Sequence, residues 1–429
     1  MHRRTFLKSS ALAAAAFSVN PLLGIRPAPR KFRTLLIGSG WWGKNILRTA
    51  LSSGNVGAIA LCDVDTRMLQ EAAAEFEKLT GSRPAVYEDF KVALAREKPE
   101  IVIIATPDHW HALTAIAAME AGAHLFLEKP VGHTIGEGKA MVSAAKASGV
   151  KVQVDLHRRA NPALQNAHAF LRSGKVGEIG MVRNFVHYPL HGNDPVLDSQ
   201  TPEGLNWDLW CGPAPYRPYN RKIHPGGFRQ FMDYANGQCG DWGVHWLDQM
   251  LVWSEEQSPK KVSATGSRWI KKDNSDAPDT MVITFEFEKY TAFWEHRQYG
   301  GNDSEKHYIG TYFYGSKGIL HMGWGDGWTF YPTNQNDQLI HEASAYNNRD
   351  KENILEMWNN LTDSIQNNSK LLCDIETGHR STNLSLLGVA AMKAGRSLVW
   401  DGSKELFVND REANKLLTRP YRSPWKYPV

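Results

Sequence analysis

Thr34-Leu35-Leu36-Ile37-Gly38-Ser39-Gly40-Trp41-Trp42-Gly43, followed by an amphipathic run over 44–52 and then by Ala58-Ile59-Ala60-Leu61-Cys62-Asp63, is the stretch that decides the fold of this chain. A short apolar run reads as a buried strand, the glycines follow at once, and the next segment has helical periodicity before a second apolar strand. The three glycines have separate mechanical tasks: a tight turn, close approach of backbone to a pyrophosphate, and close packing of helix on strand. A helix that starts there points its free N–H groups at an anion. Asp63 falls about twenty residues beyond Gly43, where a dinucleotide-binding fold places the carboxylate that accepts from a ribose hydroxyl. Gly38, Gly40, Gly43 and Asp63, with Trp41 and Trp42 inside the turn, are therefore expected to bind a nicotinamide dinucleotide. A carboxylate at position 63 repels a 2′-phosphate, which favours NAD, while Arg67 nearby leaves NADP open.

Working outward, helices are expected over 66–79, 110–121 and 136–148. Strands are expected over 101–105, 124–127 and 150–154. Repeated strand-helix units of this length make a parallel sheet, whose ligands gather at the carboxyl ends of the strands. Thr106-Pro107-Asp108-His109 and Glu128-Lys129-Pro130 lie at two such ends. Thr106, Pro107, His109, Glu128 and Lys129 join the expected cofactor residues. His109 and His111 have the spacing of a metal pair but no third ligand, so no metal site is expected.

Beyond residue 158 the period changes to apolar-polar alternation, in 181–188, 262–269, 281–287, 291–299 and 308–314. Consecutive strands without crossover helices imply an antiparallel sheet, with one face free to meet another subunit. Helices over 352–366 and 382–396 are expected to return toward the first domain. The expected fold is an α/β Rossmann dinucleotide-binding domain, 31–155, plus an α+β domain with a large, mostly antiparallel open sheet, 156–429. The stretch 202–240, rich in Trp, Pro, Gly and Tyr, is too long for an idle connection. Arg158, Asn206, Trp207, His224 and Tyr234 are its and its neighbourhood's expected substrate contacts. Fifteen tryptophans suit flat apolar platforms for sugar rings.

Residues 1–30 read separately, as a twin-arginine export signal and linker. Arg3-Arg4-Thr5-Phe6-Leu7-Lys8 precedes an Ala-rich apolar stretch over 11–19 that is too short to span a bilayer. Five basic and no acidic residues stand before residue 31. The remainder then carries 44 Lys and Arg against 45 Asp and Glu, a formal charge of −1 in place of +4. That balance gives no reason to expect a nucleic-acid or membrane partner. Cys62, Cys211, Cys239 and Cys373 have no CxxC spacing, so neither a disulfide framework nor a cysteine zinc site is indicated. The expected location is the periplasm, where free nicotinamide cofactor is scarce, so the cofactor is expected to be tightly bound.

Gly240-Asp241-Trp242-Gly243-Val244-His245 places an acid and an imidazole four residues apart, on one helix face, where the carboxylate can orient the ring. Together with GxGxxG, Thr106-Pro107 and Glu128-Lys129-Pro130, this motif resembles the Gfo/Idh/MocA oxidoreductases over nearly the whole chain after residue 30. The resemblance implies a catalytic group of Lys129, Asp241 and His245. Asp155 departs from the small residue common before a basic pair such as Arg158-Arg159. The expected chemistry is oxidation of a secondary hydroxyl of a sugar or glycoside. His245 takes the hydroxyl proton, Lys129 stabilises the alkoxide and Asp241 holds the imidazole. A second reading is an NAD-dependent glycosidase that oxidises C3 transiently and eliminates the aglycone, like the family's N-acetylgalactosaminidases. A third is a non-catalytic nucleotide-binding protein. A broad exposed sheet suggests a homo-oligomer, a dimer or tetramer.

Overall fold

The computed structural model describes residues 30–346 and 349–429; the expected export signal lies outside the described residues. Phe32–Ile37 (β1), Val56–Cys62 (β2), Ala85–Tyr87 (β3), Ile101–Ile104 (β4), His124–Leu127 (β5) and Val152–Val154 (β6) form one parallel sheet, in the order β3-β2-β1-β4-β5-β6. Every residue of β4 is buried, as expected for a strand covered on both faces. The helices between them are Trp41–Leu51 (α1), Thr66–Thr80 (α2), Phe90–Glu97 (α3), His111–Glu120 (α4) and Ile135–Ser148 (α5). Local signals set their ends. Asp65 caps α2 through the Arg67 and Met68 N–H groups, and a Thr134/Glu137 capping box opens α5 before Gly149 closes it in a left-handed conformation. Strand β3 and helix α3 lie in a stretch, 81–100, where the sequence reading placed nothing.

The second sheet has ten strands: Ile179–His187 (β7), Lys261–Ser267 (β8), Thr280–Glu286 (β9), Thr291–Arg297 (β10), Ile309–Gly315 (β11), Gly318–Gly323 (β12), Trp328–Pro332 (β13), Ile340–Glu342 (β14), Leu398–Asp401 (β15) and Leu406–Phe407 (β16). Their order is β14-β13-β12-β11-β7-β10-β9-β8-β15-β16, antiparallel except for the β7–β10 pair. The five expected strands are β7 to β11; β12 to β16 are additional, with two to six residues each, too few to show a sustained apolar-polar alternation. Helices Pro162–Arg172 (α6), Trp207–Cys211 (α7), Val244–Ser254 (α8), Arg349–Asn367 (α9) and Ile375–Ala394 (α10) complete the lobe. Val182, Val186, Ile283, Trp294, Phe313, Leu320 and Met322 bury one sheet face in a core shared with α8 and α10 residues Trp246, Met250, Leu387 and Ala391. Residues of α9, among them Trp358 and Leu361, belong to the core of the first sheet. Residues 31–429 form one compact unit.

Candidate functional site

A cavity of about 540 Å³ opens at the carboxyl ends of the parallel strands. Gly38, Gly40, Trp41, Trp42, Gly43, Asp63, Thr106, Pro107, Glu128 and Lys129 line it, ten of the eleven residues expected for the cofactor. The turn needs its glycines. Gly38 sits at φ +96°, and a Cβ there would stand 2.5 Å from the Ala105 carbonyl oxygen; a Cβ on Gly43 would stand 2.0 Å from the Gly38 oxygen. A Cβ on Gly40 would meet nothing within 4 Å, so that position faces open cavity. Asp63 accepts from the Ser39 N–H at 2.6 Å and the Asp65 N–H at 2.9 Å, which fixes its carboxylate at the rim. The buried hydroxyl of Thr106 has no hydrogen-bond partner within the protein. A cradle bare of Cβ atoms, a fixed carboxylate and an unsatisfied hydroxyl fit a dinucleotide. Arg67, which left NADP open, pairs with Asp65 at 2.9 Å.

The eleventh residue, His109, is a correction. It is fully buried, and its ring nitrogens lie 3.3 Å from the Tyr234 carbonyl and 3.0 Å from the Trp210 carbonyl. The side chain that reaches the cavity is its neighbour Asp108, whose carboxyl burial pushes up to about 7. His111 likewise bridges the Pro130 and Thr106 carbonyls. Both rings lie against backbone carbonyls, and each, held neutral by burial, has one N–H to donate to one of its two.

At the opposite wall Lys129 donates from Nζ to Asp241 Oδ1 at 2.6 Å and to the Asp241 carbonyl at 3.0 Å. Arg229 Nε reaches the same carboxylate oxygen at 3.1 Å. Burial alone would raise the Asp241 carboxyl, but the Lys129 and Arg229 cations hold it below the ordinary carboxylate range. This corrects the expected role of Asp241: its charge is engaged by two cations, and it does not orient His245. Its segment, Cys239–Gly243, is a π-type turn leading into α8. His245 follows, buried, with no hydrogen-bond partner at Nδ1. Its ring stands 5.1 Å from that of His157 and 6.0 Å from Trp324. Burial, then the Lys129 charge, pushes His245 well below its usual value, so the ring is neutral. Glu128 is raised well above the carboxylate range by burial and by Asp155, whose own carboxyl is held down by His157 despite burial.

The expected substrate contacts divide. His224 lines the cavity and pairs with Asp65 at 3.1 Å. Asn206 instead caps α7 and donates to Glu88. Trp207 is 3 % exposed, stacks on Trp210 at 4.5 Å and donates to the Arg217 carbonyl. Tyr234 is fully buried against Cys211. Arg158 is buried over the Trp324 ring and donates to Asp350 at 2.8 Å. Asn206, Trp207 and Tyr234 are corrected to supporting residues, because an aromatic-rich insert has to bury its own rings before it can offer any to a ligand; Arg158, before the insert, is corrected because Trp324 and Asp350 engage its guanidinium. Residues missed by the sequence reading are Asp108, one position from His109; Arg229, in the insert; and Trp110 and Trp425, which line the cavity and meet at 4.8 Å.

Comparison with known proteins gives the same architecture. Residues 32–156 match the model "Oxidoreductase family, NAD-binding Rossmann fold", and residues 180–427 match "Oxidoreductase family, C-terminal alpha/beta domain". D-apiose dehydrogenase of Paraburkholderia graminis is 31% identical over 150 residues, 34% of this chain and 38% of that protein. A glycosyl hydrolase family 109 protein of Shewanella baltica is 33% identical over 170 residues, 34% of this chain and 37% of that protein. The chain thus spans less than two-fifths of the length of these curated relatives. Among solved structures, levoglucosan dehydrogenase in complex with NADH superposes with a TM-score of 0.68 at 19% identity, covering 86% of this chain and 98% of that one. An oxidoreductase from Agrobacterium radiobacter in complex with NAD+, L-tartaric acid and magnesium gives 0.66 at 17%, covering 88% and 100%. With both lobes matched, the chain belongs to the Gfo/Idh/MocA oxidoreductase family.

Proposed function

We propose that the chain is an NAD-dependent oxidoreductase acting on a secondary hydroxyl of a sugar or glycoside, with its cofactor tightly bound. The observation that carries this reading is the Lys129 ammonium, set by Asp241 at the wall of the glycine-turn cavity. The glycine turn, Asp63 and Thr106 would hold the dinucleotide, which when bound supplies the hydride acceptor. Lys129 stabilises the oxygen of the reacting carbon as it becomes negative. Asp241 and Arg229 fix where that ammonium points. The neutral ring of His245 accepts the hydroxyl proton. The similarity to D-apiose dehydrogenase supports a carbohydrate substrate.

A second reading, redox-neutral cleavage of a glycoside, is supported by the glycosyl hydrolase family 109 relative. The test is to purify the protein, identify any retained nucleotide, and incubate it with aryl glycosides without added cofactor. NADH accumulation on adding NAD and sugar supports the dehydrogenase. Aglycone release without net NADH supports hydrolysis. No turnover with any carbohydrate overturns both and leaves a nucleotide-binding role.

Export by the twin-arginine route to the periplasm is proposed from Arg3-Arg4, and a double Arg→Lys change at these positions that leaves export intact would refute it. A homo-oligomer, dimer or tetramer, is proposed from the open sheet face; a monomer at micromolar concentration in light scattering would refute that.

A further inference from the structure

Away from the cofactor cavity, on the sheet face opposite the core shared with α8 and α10, His307, His321 and Asp326 come together from three separate segments. Each offers one ligating atom, and these atoms all lie within 4.8 Å of one another. His321 stands in β12 between Leu320 and Met322, which point into the core, so its ring faces the other way. His307 stands in the connection between β10 and β11 and lies over that ring, with the two centroids 3.6 Å apart. Asp326, in the turn between β12 and β13, reaches His307 Nδ1 at 3.1 Å.

His321 is 1 % exposed, yet neither of its ring nitrogens has a hydrogen-bond partner, and the buried Nε2 of His307 has none either. Three buried imidazole nitrogens without partners in one cluster carry a desolvation cost that a bound ligand would offset. Unpartnered buried ring nitrogens also occur at His133, His157, His168, His187, His245 and His379, but among the described residues only His307, His321 and Asp326 bring three ligating atoms within 4.8 Å of one another. Two glycines leave room for the donors. A Cβ on Gly310 would stand 2.6 Å from His321 Nε2, and one on Gly323 would stand 1.7 Å from Asp326 Oδ1.

We propose that His307, His321 and Asp326 form a binding site for a divalent transition-metal ion, with Zn²⁺ the best match to its donors. Two imidazoles and one carboxylate suit zinc and its neighbours, whereas magnesium and calcium prefer all-oxygen sets. Three protein ligands leave a position for water, so the ion would be held at the surface end of the cluster, where Asp326 is exposed. Trp324, two residues before Asp326, packs on Trp242 at 4.6 Å and on His245 at 6.0 Å. The metal would therefore tie down the turn that carries an aromatic wall of the His245 site.

The test is Zn²⁺ titration of the untagged full chain by calorimetry, with Tm measured in parallel. The site predicts one equivalent of zinc and a rise in Tm that Mg²⁺ does not reproduce. His307→Ala and Asp326→Asn should each weaken zinc binding at least about 10-fold and remove the rise in Tm. Asp326 is exposed, so its variant stays folded even if a histidine variant does not. Absence of stoichiometric zinc, binding unchanged in both variants, or an equal response to Mg²⁺ would overturn the proposal.

Discussion

The strand ends of the parallel sheet and the aromatic insert over 202–240 both looked rich in ligand contacts, and they behave differently. At the strand ends, position alone aims the side chains: the ends of β1, β4 and β5 place Gly38, Thr106 and Lys129 around one cavity. In the insert, Trp207, Trp210, Tyr219, Phe231 and Tyr234 pack on one another as a small core of their own. Six side chains from that region, Leu209, Trp210, His224, Pro225, Phe228 and Arg229, line the cavity, and Trp210 does so while packed in that small core. A regular sheet has a geometric rule that separates ligand-facing from packed residues. An irregular segment has none beyond the need to bury its rings.

This contrast is sharpest at Lys129. Lys129→Ala should lower kcat by about 10²–10³-fold, the usual effect of removing one preorganised charge-stabilising donor, while nucleotide remains bound. A variant with wild-type kcat would break the assignment of the strand ends to chemistry. Next in size, Gly38→Ala forces a methyl against the Ala105 backbone at a left-handed φ, costing about 1–3 kcal/mol and releasing retained nucleotide. Gly40→Ala, with open space around it, should fold normally and only weaken NAD binding. Equal behaviour of the two in thermal melts would contradict the cradle.

Acid tests the buried histidines of both lobes together. Burial depresses His109 to about 3 and His111, His168 and His296 each to about 4. An unfolded chain protonates these rings near 6.5, before the folded one does, so stability is complete above pH 6.5 and declines as pH falls below it. Tm measured between pH 7.5 and 5 should show that decline; a flat profile would contradict it. With His245 depressed as well, the acid limb of kcat should lie below pH 6.5. The smallest effect is expected in the insert: Trp207→Phe loses the bond to the Arg217 carbonyl, costing about 1 kcal/mol, with KM unchanged. A large rise in KM without loss of stability would return Trp207 to the substrate.

The parallel lobe was legible because its signals are local: apolar runs, glycines at fixed spacing, and the carboxylate at position 63. Single-residue aim was not legible, as Asp108 and His109 show. Both follow the same strand, and only the fold decides which one turns toward Trp210 and which toward the cavity. The motif over 240–245 revealed Asp241 and His245 but not their partners. Asp241 is tied to Lys129 across 112 residues and to Arg229 in the insert, and long-range charge outcompetes the neighbour four residues away. His307, His321 and Asp326 carry no spacing signal, because strand pairing and the turn after β12 bring them together.

The most direct test of the central claim, that Lys129 and His245 act on a carbohydrate hydroxyl beside bound nicotinamide, is absorbance at 340 nm. NAD-loaded protein is mixed with a panel of sugars and glycosides in a single turnover. Wild type should show a rapid rise with at least one of them, and Lys129→Ala, still carrying its nucleotide, should show none on the same timescale. An equal rise in rate and amplitude in both proteins would contradict the account.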